Sequence, residues 1–548
     1  MEGHKIMKIL FIFPFINTKG GDPIKFLPIG PAALIGTLKP DFPEIIFEQI
    51  ELEEEIREKK RQGKIDKKYE KLLESFNQNK ALFPSSNAVK EYKGFFDKLI
   101  NFFQIDQYDH YFFSRYDDDC GLRANLFFAK YLKSLFPDKK IIFGGINNAR
   151  SNEIDNSLFN SLNFIDSFIV GPGEKSMRLI LQKLLDSEKL DTKYSFWVSP
   201  QEKIKNLPDY KSNRSLSLFK HSVKELEGKE GGSKNLISIP YYFSIGCFWS
   251  QCAYCANSHF KGSSPSQKQA HKSIDQIISD LTRLKKDYKT KHFIFFNQNF
   301  NFDLDFTKQL LKRIISEKLD ILWTDYFNLT IFDEELPSLL TQAGCYRIDL
   351  GTVTFNDKLQ KLYSNLFKNQ QLKYLKYISD AGIWINLNII ANLPYSYSIE
   401  GEKKVLKNYL KYFDSADINF YRNFSISDLA LNYRFYDLKT ADKKIVFKEG
   451  LTGNLSFIEK NGGKSVDEKA VISQKNYLDW ERFLIKNGKV INNHNFAYLS
   501  YLYDAHGFNN KERIKKLFCS AKNNTCLLPK ESKDKVGPKG RLSLVKKP

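Results

Sequence analysis

The stretch Ser238–Asn257, SIPYYFSIGCFWSQCAYCAN, decides how the rest of this chain is interpreted. It begins with an apolar run typical of a β-strand and continues into a loop that holds Cys247, Cys252 and Cys255. Three thiolates in one short loop can hold a metal centre, and sulfur ligands favour zinc or an iron–sulfur cluster. Cysteines that only fill a core need no such spacing. The stretch therefore predicts a metal site directly after a strand.

Downstream of this loop, apolar strands alternate with amphipathic helices. Ser273–Tyr288 has a capping-box start and one apolar face, and further strand patterns begin at His292, Asp320, Tyr346, Trp384 and Ala416. Together with the strand at Ser238 they predict a partial TIM-type barrel of six βα units over residues 236–430. Active sites of such barrels lie at the carboxyl ends of the strands, which is where the cysteine loop falls.

The first third of the chain shows a second alternation of this kind. Strands are predicted to begin at Met7, Glu44, Asp109, Lys139 and Asp166, with helices over Ile29–Lys39, Leu122–Phe136 and Glu174–Leu185. Short apolar strands between amphipathic helices indicate a parallel, doubly wound α/β domain over residues 7–195. A charged helical sequence predicts an insertion at about 51–105.

Two stretches lie outside the βα series. The polar, glycine-rich sequence EGKEGGSK at 227–234 predicts a linker over 196–235. Residues 431–548 are mixed, aromatic and lysine-rich, and we expect a substrate or lid region that ends in a disordered basic tail.

Composition limits the cellular setting and the partners. Three of the seven cysteines lie within nine positions, unlike the spread pairs of a secreted disulfide framework, so a reducing cytoplasm is expected. No apolar run approaches the roughly 18 residues that a membrane helix needs, so no membrane partner is expected. The net charge of +20 would permit a nucleic-acid partner, but the lysines are scattered along helices, which favours a solvated surface.

Zinc is the main alternative at the cysteine loop. His259 follows Cys255 by four positions, so the three cysteines and His259 could complete a Cys₃His tetrahedron. Zinc knuckles are small independent folds, however, whereas this loop joins a strand to a helix within a βα series. A zinc-stabilised, basic RNA-binding protein would explain the charge and the cysteines but not the two βα series, and it stays as the alternative from another class.

The strand, the cysteine loop with an aromatic before its last cysteine, and the barrel together resemble the radical S-adenosylmethionine (SAM) superfamily. The resemblance implies that Cys247, Cys252 and Cys255 bind a [4Fe–4S] cluster that chelates SAM, with Tyr254 near the adenine. It implies reductive cleavage of SAM to a 5′-deoxyadenosyl radical, with electrons from a donor such as flavodoxin or ferredoxin. The predicted SAM contacts near strand ends are Asn297, Asn388 and Arg422.

Three features depart from the pattern of that family. Four residues separate Cys247 from Cys252, where the family usually has three, and a loop can absorb the extra residue. In AGCYRIDLGTVT, Val353 stands where the family has a ribose-binding glutamate, and Asn392 stands where a glycine is common before Leu-Pro. The usual ribose contact is therefore missing.

The N-terminal domain resembles the cobalamin-binding domain that precedes many radical SAM barrels. The matching stretches FGGINNA and VGPGEKS place four glycines at strand carboxyl ends, where doubly wound domains bind ligands: Gly144, Gly145, Gly171 and Gly173. Tight turning explains each of these glycines equally well. The Asp-x-His-x-x-Gly element of other cobalamin proteins is missing, so no lower axial histidine is expected. The resemblance implies cobalamin-dependent C-methylation of an unactivated carbon in a peptide or natural-product substrate.

A fainter resemblance, through GCFW and FGGINN, is to radical SAM enzymes that mature ribosomally made peptides. Without cobalamin, hydrogen abstraction could end in epimerisation or another rearrangement, and epimerisation needs a hydrogen-atom donor, often a thiol. Cys345 is the candidate for that role, although its strand-entry position is also typical of a core cysteine. The other candidates are Cys120, Cys519 and Cys526, and the last two could contribute to a second cluster.

Overall fold

A computed structural model gives the fold over most of the chain. It describes residues 6–13, 27–65, 67–78, 84–114, 119–146, 162–170, 173–194, 207–222, 235–255, 257–258, 264, 269–391, 393–419, 432, 435, 438–440, 457–459, 466–491 and 495–520.

The N-terminal domain is built on a parallel six-stranded sheet in the order β2-β1-β3-β4-β5-β6. Its strands are β1 (Met7–Phe13), β2 (Ile45–Glu51), β3 (His110–Ser114), β4 (Ile141–Ile146), β5 (Ser167–Val170) and β6 (Lys193–Tyr194). The predicted doubly wound domain is confirmed. The short β6 was not predicted, because two residues give no periodicity that a sequence pattern could detect.

Helices cover both faces of this sheet. They are α1 (Ile29–Leu38), α2 (Leu52–Arg61), α3 (Lys67–Gln78), α4 (Ser86–Glu91), α5 (Lys93–Phe103), α6 (Asp119–Leu135) and α7 (Gly173–Leu185). Successive residues of β1 enter opposite cores: Ile9 and Phe11 pack with α1 and α7, while Leu10 and Ile12 pack with α5 and α6. This two-residue alternation follows from the pleat of a strand that is buried on both sides. The insertion predicted at about 51–105 is helical and comprises α2 to α5.

The segment 207–222, predicted as part of a linker, is packed against both domains. Tyr210 is fully buried and donates its hydroxyl hydrogen to the Pro240 carbonyl at 2.8 Å, and the Asp209 N–H donates to the Ala32 carbonyl at 2.8 Å. Gly36 of α1 allows the close approach, because a Cβ there would lie 2.1 Å from the Leu207 carbonyl oxygen. The short strands β7 (His221–Ser222) and β8 (Asn235–Leu236) pair with each other and lead into the second domain.

The second domain is built on a parallel seven-stranded sheet in the order β19-β16-β15-β14-β13-β12-β9. The strands of this domain are β9 (Ser238–Tyr241), β10 (Ser244–Gly246), β11 (Gln269–His271), β12 (His292–Phe295), β13 (Leu322–Phe327), β14 (Cys345–Val353), β15 (Trp384–Ile390), β16 (Ser415–Asn419), β17 (Leu438–Thr440), β18 (Phe457–Glu459) and β19 (Val490–Ile491). All six predicted barrel strands are present and parallel, and the described strands do not close into a full barrel. The C-terminal region adds β19 beside β16.

Helices line the outer face of this sheet and form the largest core. They are α8 (Ile274–Tyr288), α9 (Leu304–Ser316), α10 (Leu336–Gln342), α12 (Tyr374–Asp380), α13 (Glu400–Lys407) and α14 (Val466–Lys486). The short helix α11 (Asp357–Leu362) packs instead in a smaller apolar cluster with Ala253 of the cysteine loop. None of the helices in the described ranges combines the length and the apolar character that crossing a bilayer requires.

Two C-terminal helices, α15 (Phe496–His506) and α16 (Lys511–Ser520), pack against the inner face of the sheet. His292 contacts Ser500 at 2.6 Å, and Lys511 donates to the Ile383 carbonyl at 2.7 Å. Both contacts involve the starts of strands, so these helices lie at the amino end of the sheet. The cysteine loop lies at the opposite, carboxyl side of the domain, and a lid role for the rest of residues 431–548 stays a prediction.

Candidate functional site

The start of the cysteine loop is fixed by a buried asparagine. The side-chain oxygen of Asn297, which follows β12, accepts the backbone N–H groups of Phe243 and Ser244 at 3.0 and 2.8 Å. The Asn297 amide donates in turn to Asp325 at 2.6 Å, and burial raises the pKa of that carboxyl well above its usual value. Asn297 thus holds the strand that leads into the loop, and its contact with SAM stays a prediction.

The three predicted ligands lie half-buried on one loop after β10. Burial raises the pKa of the Cys252 thiol to about 12 and also raises the pKa of Cys255, and the neighbouring thiols add to both shifts. The Asn299 amide donates to the Cys247 sulfur at 3.6 Å, and the N–H of Asn257 donates to Cys255. Because burial disfavours ionised thiols, thiolates on this loop need a cationic centre that compensates their charge.

The side chains around the cysteine loop favour either zinc or an iron–sulfur cluster according to how they are grouped. Within the described residues, no three His, Cys, Asp or Glu side chains form a group that could hold a metal ion. His259, which the zinc alternative requires, lies outside those residues. A four-iron cluster is larger than one ion and takes thiolates that stand further apart. The loop offers three thiol sulfurs, each with a hydrogen-bond donor nearby. These are the ligands and the surroundings that a [4Fe–4S] cluster takes.

The loop rests on the segment Tyr363–Leu366 that follows α11, which we call the docking segment. Ala253 donates its N–H to the Tyr363 carbonyl, and the Trp249 indole donates to the Ser364 carbonyl, both at 2.9 Å. The Tyr254 hydroxyl donates to the Asn365 side chain at 2.9 Å. Sequence analysis missed this segment, because its residues lie more than a hundred positions from the loop and carry no motif.

Several residues around the loop have left-handed backbone conformations. Val353 has φ 62°, Tyr395 has φ 65°, and Ser250 and Ser364 both have φ 49°. Positive φ is a genuine outlier for a β-branched residue, and such strain gathers at functional sites. Val353 takes the position where the family has its ribose-binding glutamate, and it packs in one apolar cluster with Ala253 and Tyr363. It supports the loop here through apolar contact.

Of the other predicted SAM contacts, Asn388 lies within the described residues and Arg422 does not. Asn388 of β15 is half-buried and donates to the Leu350 carbonyl at 3.5 Å, so it faces the inner side of the sheet near its carboxyl end. Arg422 and Asn392 lie outside the described residues. All of these contacts stay predictions.

A buried polar layer, which sequence analysis did not find, crosses the inner face of the sheet. Arg347 pairs with Asp349 at 2.6 Å, and the Asn386 amide donates to Asp349 at 2.6 Å and to Asp417 at 2.8 Å. Asn386 precedes Asn388 by two positions on the same strand face, so the layer lies directly below the carboxyl end of the sheet. In the sequence, this layer is indicated only by Arg347 and Asp349, which stand two positions apart in β14.

The remaining cysteines lie away from the loop or outside the described residues. Cys345 is fully buried in the outer core, and its thiol faces the Arg347 carbonyl at 3.5 Å. Its role as a hydrogen donor stays a prediction, and this burial argues against it. Cys519 lies in the last turn of α16, at the amino end of the sheet; Cys526 lies outside the described residues, and the side chain of Cys120 is not described.

Three of the four glycines of the predicted cobalamin site fall at the carboxyl edge of the N-terminal sheet within the described residues. Gly144 and Gly145 belong to β4, and a Cβ on Gly144 would meet only ordinary contacts. Gly173 opens α7, where a Cβ would lie 3.2 Å from Leu34 of α1, so helix packing explains it. Gly171 lies outside the described residues. Ligand contact stays a prediction for all four.

The first turn of α7 carries polar groups that a ligand could satisfy. In the described part of the chain, the Ser176 hydroxyl and one carboxylate oxygen of Glu174 are buried without a hydrogen-bond partner. Burial raises the pKa of Tyr242, and the charge of Glu174 adds to this shift, so Glu174 lies within electrostatic range of the stretch that leads to Cys247. A polar ligand such as cobalamin fits this edge, and it would lie beside the barrel domain.

Comparison with known proteins defines the class of the second domain. Residues 241–397, which include the cysteine loop, match the Radical SAM superfamily. The chain therefore contains a radical SAM domain, placed after a doubly wound N-terminal domain.

Two solved structures share the fold of nearly the whole chain. The radical SAM methyltransferase TsrM from Kitasatospora setae, with cobalamin and a [4Fe–4S] cluster bound, matches with a TM-score of 0.55 at 12% identity, over 94% of this chain and 98% of its own. The cobalamin-dependent radical SAM enzyme OxsB with aqua-cobalamin bound matches with a TM-score of 0.55 at 12% identity, over 94% of this chain and 79% of its own. At this identity the likeness establishes the fold.

Curated relatives match over shorter regions. Cytidylyl-2-hydroxyethylphosphonate methyltransferase of Streptomyces wedmorensis is 25% identical over 167 residues, 29% of this chain. An uncharacterized methyltransferase of Pyrococcus horikoshii is 23% identical over 128 residues, 23% of this chain. The matches span only 30% and 27% of the lengths of these relatives.

Proposed function

We propose that this chain is a radical SAM enzyme that uses a [4Fe–4S] cluster, SAM and cobalamin to methylate an unactivated carbon of a peptide or natural-product substrate. The observation that carries the proposal is the placement of three thiols on one loop after the first strand of a radical SAM domain. The relatives named methyltransferases and the fold shared with cobalamin-binding enzymes support the finer statement.

Three cysteines and a small set of neighbours would hold the cluster. Cys247, Cys252 and Cys255 would be its ligands, and Asn297 keeps the preceding strand in place. When bound, the cluster supplies one electron to SAM, whose cleavage yields the radical that activates a substrate C–H bond. The surrounding aromatic and apolar side chains of the loop and the docking segment keep water away from that centre.

Cobalamin would lie at the carboxyl edge of the N-terminal sheet, near Gly144 and the first turn of α7. When bound, it supplies the methyl group. The polar atoms of Glu174 and Ser176 that lack partners in the described structure would be satisfied there. Glu174 acts electrostatically on Tyr242, which precedes the cysteine loop, and this supports a ligand position on the side of the edge toward that loop.

The test begins with anaerobic reconstitution of the full chain with iron and sulfide. We expect a brown protein whose broad visible absorbance and bound iron are lost in Cys252→Ala, because a cluster with two protein ligands is poorly held. Cys345→Ala is the matched control: its thiol is buried in the outer core, so the cluster should remain. Stoichiometric zinc without iron uptake would contradict the proposal.

A second measurement addresses the methyl donor. Hydroxocobalamin added to the reconstituted chain should bind stoichiometrically, and incubation with labelled SAM and a reductant should release 5′-deoxyadenosine. If the chain cleaves SAM but does not retain cobalamin, it is still a radical SAM enzyme. Cobalamin-dependent methylation would then be ruled out.

A further inference from the structure

The docking segment contacts the cysteine loop at consecutive positions. Asn365 is only 1% exposed; its oxygen accepts the Tyr254 hydroxyl at 2.9 Å, and its amide donates to the Thr352 carbonyl at 3.2 Å. The backbone N–H of Leu366 donates to the Cys252 sulfur. One short segment therefore reaches both a predicted cluster ligand and the aromatic residue beside it.

The Tyr254 hydroxyl has two acceptors within reach and one hydrogen to give. Besides the Asn365 oxygen, the Cys252 sulfur lies within hydrogen-bonding reach of this hydroxyl. A phenol donates a single hydrogen, so donation to one acceptor withholds it from the other. The rings of Tyr254 and Tyr363 meet edge to face at 6.4 Å, which restricts the phenol to this position between the two acceptors.

We propose that Asn365 is a positioning residue for the cluster: it holds the Tyr254 hydroxyl hydrogen away from Cys252 and thereby keeps the reduction potential of the cluster low. This inference rests on the proposed function, because it requires a cluster on Cys252. Asn365 touches neither the sulfur nor the cluster in this role and acts only through Tyr254.

The direction of the effect follows from charge. Reduction adds one electron to the cluster, so the reduced form places more negative charge on its thiolate ligands. Each hydrogen-bond donor to a ligand sulfur stabilises the reduced form and raises the potential. With the Tyr254 hydrogen held by Asn365, Cys252 keeps the Leu366 N–H but lacks the hydroxyl hydrogen, so the cluster is a stronger reductant toward SAM.

The experiment is a double-mutant cycle on the reconstituted, SAM-free full chain. Midpoint potentials are measured by mediated titration with dithionite, followed by electron paramagnetic resonance, for the unmodified chain, Asn365→Leu, Tyr254→Phe and the double variant. Asn365→Leu should raise the potential, because the freed hydroxyl turns to Cys252. At a fixed applied potential the ratio of reduced to oxidised cluster should rise on the order of two- to tenfold, the range of one hydrogen bond; tenfold corresponds to about 59 mV.

The cycle separates this role from simple support of the loop. The rise should vanish when Tyr254→Phe is also present, and Tyr254→Phe alone should leave the potential nearly unchanged. Asn369→Leu is the matched control, since Asn369 bonds to Phe355 and Asp357 and not to the loop.

Several results would overturn the inference. An equal shift with and without the Tyr254 hydroxyl, or no shift, would show that Asn365 does not act through it. If Asn365→Leu fails to hold a cluster, Tyr254→Phe still decides, because a clear fall in its potential would mean that the hydroxyl already donates to the sulfur. An unmodified chain that takes up no iron would overturn the proposed function, and this inference with it.

Discussion

At the scale of single residues, burial changes the acid–base behaviour of groups that serve the fold. Lys489 precedes β19, is 5% exposed, and donates its ammonium to the Phe413 carbonyl while lying 4.5 Å from the Phe413 ring centroid. Burial, followed by repulsion from Lys515 and Lys511, lowers its pKa to about 7, and Asp414 and Glu512 oppose the shift. This lysine is a stability element whose effect depends on pH.

The sign of that dependence follows from linkage. Below pH 7 Lys489 is protonated in both states, so the folded chain bears the full cost of a buried charge. Between pH 7 and about 10.4, the unfolded value, the unfolded state holds more protons and stability rises with pH. Lys489→Met should therefore stabilise most at pH 6, with a gain that shrinks toward pH 10.

Urea unfolding of the full chain at several pH values measures this gain. Lys486→Met is the control, since it removes the same type of side chain from an exposed position close by in the chain. Parallel profiles for the two variants would show that Lys489 is not the source of the pH dependence.

At the scale of elements, β14 is the strand with the most irregular ends. Its pairing shifts register beside Trp323 and again between Leu350 and Val353. Gly344, just before it, has φ 83°, and a Cβ there would lie 1.8 Å from the Ile321 carbonyl oxygen. The left-handed turn at Gly344 lets the chain enter β14 in close contact with the Ile321 carbonyl, and β14 ends at Val353, which packs with Ala253 of the cysteine loop.

Gly344→Ala should accordingly destabilise the chain by at least about 2 kcal/mol, because it adds both a clash and a strained φ. Gly351→Ala is the matched control within the same strand: no atom lies within 4 Å of its Cβ position, so the change should be within about 0.5 kcal/mol. Denaturant midpoints give both values. Similar losses at the two positions would mean that the turn at Gly344 is not decisive.

At the scale of the whole molecule, the last two helices close the amino end of the barrel sheet. Tyr503 of α15 donates to the Gly382 carbonyl at 2.8 Å, and Lys511 of α16 pairs with Asp414 at 2.9 Å. Gly382 has φ 81°, and a Cβ there would lie 2.3 Å from the Phe508 carbonyl oxygen. The C-terminal region therefore completes the inner core of the radical SAM domain.

Gly382→Ala should loosen this closure without unfolding the rest of the domain. We expect faster amide hydrogen exchange across α15 and α16, with the strands of the N-terminal sheet unchanged. Gly401→Ala, within α13 and with no atom within 4 Å of its Cβ position, should leave exchange in α15 and α16 as it is. Uniformly faster exchange throughout the chain would show that the helices are not a separate unit.

The sequence by itself determined the order of strands and helices, because periodicity and capping are local properties. It placed Cys247, Cys252 and Cys255 after a barrel strand and predicted both βα series, since each signal is contained in a few adjacent residues. It also indicated the loss of the ribose-binding glutamate at Val353.

Only the tertiary structure decided what surrounds those cysteines. Asn365 reaches Tyr254 from 111 positions away, and the buried layer of Arg347, Asp349 and Asn386 joins neighbouring strands. The sequence did not predict the helices α15 and α16, which lie at the amino end of the sheet. Such contacts depend on how distant segments pack, and packing is not encoded in any short stretch of the chain.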